Sequence, residues 1–151
     1  MTKPYRGDYT MDNILKLVPI NKRNCFILNA DYNHKGTVVK RGFITDLDSI
    51  PKVPIVYSIF KGRAKTSAVI HDWHYFQQDV SRLRADRIFL VQMIKEEGIN
   101  RTTARLMYTA VRIGGGVTWN RNKRLKEQYT QEERLARLHK HYAKALVGVN
   151  W

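Results

Sequence analysis

The chain has 151 residues, with 27 lysines and arginines against 13 acidic residues and a formal charge of +14. At 43% hydrophobic residues it has the apolar material for one folded domain, which excludes disorder along its whole length. A single cysteine, Cys25, excludes an internal disulfide framework and a cysteine-based zinc cluster. No run approaches the roughly 18–20 apolar residues of a membrane span. The N-terminal MTKPYRGDYTMDN lacks the apolar core of a signal peptide, so neither a transmembrane segment nor export is expected. The charge points to a polyanionic partner, either a cell-wall polymer or nucleic acid, or to an acidic protein surface. Its alternative reading is a solubilising surface.

In chain order, residues 1–23 read as an N-terminal arm, in which Met11 to Val18 fits either one helical turn or an edge strand. Cys25 to Ala30 has the length and apolarity of a strand. Asp31 to Gly36 carries turn chemistry, and the β-branched run Thr37 to Thr45 reads as the returning strand. After Pro54 the period becomes helical. Residues 65–78 space Ala68, Val69, Trp73 and Phe76 along one face, and Ser81 caps a second helix that stops at Gly98, with Ile88, Phe89, Val91 and Met93 as its apolar material. Asn100 caps a third helix, buried through Ala104, Met107, Tyr108 and Val111 and ended by Gly114-Gly115-Gly116 in a flexible loop. That glycine run lacks the spacing of either phosphate-binding glycine motif. Thr130, followed by Glu132 and Glu133, opens a basic amphipathic helix to about Val147. The fold class is therefore α+β: a small N-terminal antiparallel β-unit followed by a bundle of about four helices. Residues 24–120 form one core domain, and 121–151 form a basic C-terminal helix packed on the core or extending from it.

Two segments carry more polar chemistry than packing asks for. Residues 42–51 contain Thr45, Asp46, Asp48 and Ser49. Residues 68–75 contain His71, Asp72 and His74, and Asp86 follows on the next helix. His71 and His74 share a helix face, whereas Asp72 lies about 100° from His71, so those two meet only at the helix edge. Carboxylate and imidazole donors suit zinc, manganese or iron. Three such ligands leave a position for an acidified water, the nucleophile of a hydrolase. The alternatives are structural: Asp46 in a tight turn, His71 and Asp72 as a satisfied pair, and Asp86 paired with Arg82 or Arg84.

On these segments the chain resembles a family of phage and prophage proteins catalogued as domain of unknown function 1353. The resemblance rests on Gly42, Phe43, Thr45, Asp46, Ser49 and Pro51, then on Ala68, His71, Asp72 and Tyr75. Ala85, Asp86 and Phe89 follow, and last come Met107, Tyr108, Ala110, Val111, Arg112, Gly114 and Gly115. It spans residues 38–119 and implies a phage source while assigning no activity. His74 falls outside its polar set and reads as packing or an accessory donor.

Three functions compete. The first is a small metal-dependent hydrolase, carried by the virion and acting on the host cell wall or a phosphoester. Asp46, His71 and Asp86 would be its metal ligands, with Asp72, Thr45 and Ser49 in the catalytic set. The second is a non-enzymatic tail or head-completion component with other virion proteins as partners. The third is a nucleic-acid-binding accessory, on the strength of charge and of aromatic–basic interleaving such as Tyr108, Arg112, Trp119 and Arg121. Virion and host cytoplasm are the corresponding locations.

Overall fold

The computed structural model describes residues 14–46 and 64–151. Among the described residues, five short strands precede five helices, in agreement with the α+β class. Strands β1 (Leu17–Pro19), β2 (Cys25–Leu28) and β5 (Ile44–Asp46) form an antiparallel sheet in the order β1-β2-β5. β1 takes the edge-strand alternative within the expected arm, with Val18 opposite Ile27. β3 (Tyr32–His34) and β4 (Thr37–Val39) make a separate hairpin. Its turn is Lys35-Gly36, both with positive φ (48° and 89°), the backbone of a tight two-residue hairpin. The run expected as one returning strand is thus divided: Thr37–Val39 pairs locally, and Ile44–Asp46 crosses back to pair with β2. Asp31, expected in the turn, instead accepts from the Arg41 backbone N–H at 2.7 Å and from Lys40 Nζ at 2.9 Å.

The helices are α1 (Lys65–Gln77), α2 (Arg82–Lys95), α3 (Arg101–Gly114), α4 (Gly116–Gln128) and α5 (Gln131–His141), with a 3-10 turn at Ala143–Leu146. The expected caps are in place. Ser81 accepts from the Arg84 N–H and Asn100 from the Thr103 N–H, and Thr130 with Glu133 forms a reciprocal capping box. The loop expected after Gly114 is a tight junction instead: α3 ends at Gly114, and α4 begins at Gly116. Helix α4 buries none of its side chains, so it lacks the apolar stripe by which a helix is recognised in sequence.

Helix α1 is the centre of the molecule. Nine of its 13 residues are buried, because both of its sides are packed. Ala68 joins Phe89, Met93, Ala104 and Met107 in a core shared with α2 and α3. On the other side Val69, Ile70, Trp73 and Phe76 meet Leu28, Val39 and Phe43 of the β-unit. Val91, expected among the apolar contacts of α2, is 49% exposed because it points away from both partners. A third cluster, Ile20, Cys25, Ile27 and Ile44, is covered by Tyr142, Leu146 and Trp151 from the C-terminal segment. Gly42 permits that closure. At φ +82°, a side-chain carbon there would stand 3.1 Å from the Trp151 ring and 3.2 Å from His139.

Candidate active site

The polar residues singled out in sequence form two pairs on α1. Asp86, fully buried on α2, accepts from His71 Nε2 and from the Tyr75 hydroxyl, each at 2.7 Å and both on Oδ1. Arg112 of α3 donates to Oδ2 at 2.6 Å, while Arg82 stands at 4.0 Å. One carboxylate thus joins three helices, with Arg112 rather than Arg82 or Arg84 as its closest cation. Burial pushes the Asp86 carboxyl up, but hydrogen bonds from His71, Arg112 and Tyr75 together outweigh it and hold it below its ordinary value. Burial also holds the His71 imidazole below its ordinary value, against the pull of Asp86. With its Nε2–H spent on Asp86, His71 keeps Nδ1 without a hydrogen-bond partner among the described residues.

Asp72 does not pair with His71. It accepts at Oδ2 from the Thr45 hydroxyl of β5 at 2.5 Å. Burial, reinforced by the negative charge of Asp46 and opposed by the Thr45 bond, raises Asp72 to about 7. Asp46 is engaged separately: Lys22 Nζ lies 3.4 Å from its Oδ2, and the Tyr142 hydroxyl donates to the same atom at 3.2 Å. His74 is buried and bonds Asp79 at 2.8 Å. Ser49 and Asp48 lie outside the described residues.

One member of each pair, His71 and Asp72, opens on a cleft of about 550 Å³, with Asp86 and Thr45 buried behind them. His71, Asp72, Tyr75 and Phe76 of α1 form its floor, with Phe43, Ile44 and Asp46 beside them. Thr118, Arg121, Asn122 and Leu125 of α4 form one wall, and Arg134, Arg137, Leu138 and His141 of α5 form another. Adjacent positions on α1 therefore reach one site, as the helix-edge geometry of His71 and Asp72 requires.

Among the described residues, no three His, Cys, Asp or Glu side chains are grouped so as to hold a metal ion. Both oxygens of Asp86 are already occupied, one of them by a guanidinium, which leaves it a poor metal ligand. Asp46, His71 and Asp86 are thus not brought together as a ligand set. Tyr75, quoted in the family motifs but given no role by sequence, and Arg112, read there only as part of a basic–aromatic surface, complete the Asp86 hub. Lys22, Arg134, Arg137 and Tyr142 carried no sequence signal, since each looks like ordinary solvated surface before the chain folds. Among the described residues, no helix is long and apolar enough to cross a membrane.

No curated protein and no solved structure matches the chain. A family model described as "Protein of unknown function (DUF1353)" matches residues 25–111, more than half of the chain. That segment contains Thr45, Asp46, His71, Asp72, Tyr75 and Asp86. The chain therefore belongs to the DUF1353 family.

Proposed function

We propose that the cleft is the active site of a small hydrolase working by general acid–base catalysis, with His71 as base and Asp72 as acid. The observation that carries this reading is Asp72, a carboxyl on the cleft floor, oriented by Thr45 and raised to about 7. Near neutral pH about half of such a group is protonated, which suits a donor to a leaving oxygen. Its Oδ1 has no hydrogen-bond partner among the described residues and is the oxygen free to carry that proton. On the same floor His71 is neutral and fixed through Nε2 by a carboxylate, the arrangement that prepares an imidazole to accept a proton at Nδ1. In the reaction a water oxygen bonds to the electrophilic centre and the bond to the leaving oxygen breaks. His71 takes the proton lost by water, and Asp72 supplies the proton gained by the leaving group.

The test is turnover of cell-wall glycan fragments and of small phosphoesters by the full chain, with kcat/KM measured against pH. We expect activity to fall on the alkaline side with a midpoint near the Asp72 value of about 7. Asp72→Asn should remove that limb and lower kcat by about 10²–10⁴-fold with folding intact. A folded Asp72→Asn variant with unchanged rate and pH profile would overturn the assignment. So would a folded wild type that turns over neither substrate class.

A further inference from the structure

The walls of the cleft differ chemically from its floor. Four cationic side chains line it, Lys22, Arg121, Arg134 and Arg137, against two carboxyls, Asp46 and Asp72. Lys22 is committed to Asp46. Among the described residues none of the three arginines has a carboxylate partner. Arg137 stacks on the Tyr129 ring at 3.7 Å, and Arg121 is exposed. Arg134 is the most telling of the three. It is only 6% exposed, yet it is held by neutral acceptors alone: the Phe76 carbonyl oxygen through Nη1 and Gln77 Oε1 at 2.9 Å through Nη2. Its Nε–H is buried without a partner. The guanidinium also lies over the Phe76 ring, 4.5 Å from its centroid, and Glu132 acts on it only from beyond ion-pair distance. A buried guanidinium with an unspent donor and no paired carboxylate is costly unless something anionic completes it.

We infer that this wall binds a phosphoryl group, so that the ligand of the cleft is a phosphate-bearing molecule. The inference rests on the acid–base reading of the floor for its catalytic meaning, but not for the binding itself. A single carboxylate matches one guanidinium fork. Three guanidiniums without carboxylates exceed what it can neutralise, whereas a phosphoryl group offers three outer oxygens and up to two charges. The cleft, at about 550 Å³, has the volume of a small-ligand site. All four cations also lie outside residues 25–111, so the choice of ligand resides in segments flanking the family match.

The experiment is isothermal titration of the full chain with inorganic phosphate, and with acetate at matched ionic strength, near neutral pH. It is repeated on the double variant Arg121→Gln/Arg137→Gln and on Asp72→Asn, each checked for folding by circular dichroism. Arg121 and Arg137 are chosen because both are exposed; Arg134→Gln removes a buried contact and serves only as a second variant if it folds. We expect saturable binding of phosphate at one site, with acetate at least about tenfold weaker. The double variant should lose about tenfold or more in phosphate affinity, while Asp72→Asn keeps it. Absence of phosphate binding, equal binding of acetate, or binding indifferent to the double variant would overturn the inference. Asp72-dependent turnover of wall glycan without phosphate binding would sink this inference alone, and phosphate binding without turnover would sink the hydrolase reading alone.

Discussion

The hydroxyl oxygen of Tyr75 lies 2.5 Å from the point where a side-chain carbon on residue 115 would stand, and the Val111 carbonyl oxygen lies 2.6 Å from it. Glycine at 115 therefore lets α1 and the α3–α4 junction approach closely enough for Tyr75 to reach Asp86 at 2.7 Å. Gly115→Ala must displace Tyr75, bend the junction, or both. A loss of about 1–3 kcal/mol in stability is expected by chemical denaturation, the range for overpacking a filled site. Removing the hydroxyl should recover part of it, so Gly115→Ala in a Tyr75→Phe background should cost less than in the wild type. Strict additivity of the two changes would show that the contact does not set the junction.

Asp86 is the next point of vulnerability. It has no solvent contact and gathers His71, Tyr75 and Arg112 from two other helices. Asp86→Ala leaves a guanidinium, an imidazole and a hydroxyl facing an apolar gap, and a loss of about 3–5 kcal/mol follows from breaking a buried charge network. The pH dependence has a definite sign. The folded carboxyl is held below its ordinary value, so its contribution is present above the ordinary carboxyl range and is lost as pH falls through the depressed value. Urea denaturation from neutral to acid pH should show wild-type stability falling on the acid side and the Asp86→Asn variant falling less. Parallel curves would remove Asp86 from the account of acid stability.

Much of this arrangement is legible in the sequence, and the rest is hidden for identifiable reasons. Ser81, Asn100 and Thr130 mark helix starts because capping is local chemistry, complete within three residues. Thr45, Asp46, His71, Asp72 and Asp86 stand out as polar residues in apolar company. Their pairing does not, since Thr45 meets Asp72 across 27 positions and His71 meets Asp86 across 15. Sequence admits a metal-ligand reading of the cluster beside the structural ones because it counts carboxylates and imidazoles. It does not reveal that Arg112 occupies one oxygen of Asp86. Helix α4 escapes periodicity because none of its residues is fully buried and its packed face mixes polar Thr118 and Asn122 with apolar Trp119 and Leu125, and the glycines before it imitate a loop. Of the cationic wall only Arg121 stands out in sequence, as part of a basic–aromatic surface; Arg134 is hidden for a related reason, being buried only after α5 folds back onto Phe76 and Gln77.

Helix α1, the element that carries both site pairs, has no side-chain cap of its own. Glu97, just past the end of α2, supplies one from outside. Its Oε1 accepts from the Thr66 and Ser67 backbone N–H groups at 2.9 and 3.2 Å, and its Oε2 from the Ser67 hydroxyl at 2.5 Å. Glu97→Ala leaves the Thr66 and Ser67 N–H groups at the start of α1 unsatisfied, and leaves the Ser67 hydroxyl only its longer bond to the Ala64 carbonyl oxygen at 3.3 Å. A loss of about 1–2 kcal/mol is expected, the size of a lost N-cap. Hydrogen exchange should show the loss first in the opening turn of α1. Unchanged exchange there would mean that water replaces Glu97 without cost.

Asp72 affects the fold and the chemistry in ways that pH separates. A carboxyl raised to about 7 in the folded chain is one whose ionisation the fold resists. Its contribution to stability is complete below the ordinary carboxyl value of about 4 and is lost progressively as pH rises through about 7. Asn at this position cannot ionise and still offers a carbonyl oxygen to the Thr45 hydroxyl. Relative to the wild type, Asp72→Asn should therefore gain stability as pH is raised from about 4 to about 7, and hold that gain above it. Denaturation midpoints measured across this window read the difference directly. A flat difference would place the Asp72 value near that of an exposed carboxylate and remove the physical basis for its role as proton donor. A rising difference combined with lost turnover would identify Asp72 as a residue kept for its chemistry at the expense of the fold, the trade expected where a titratable group lines an active cleft.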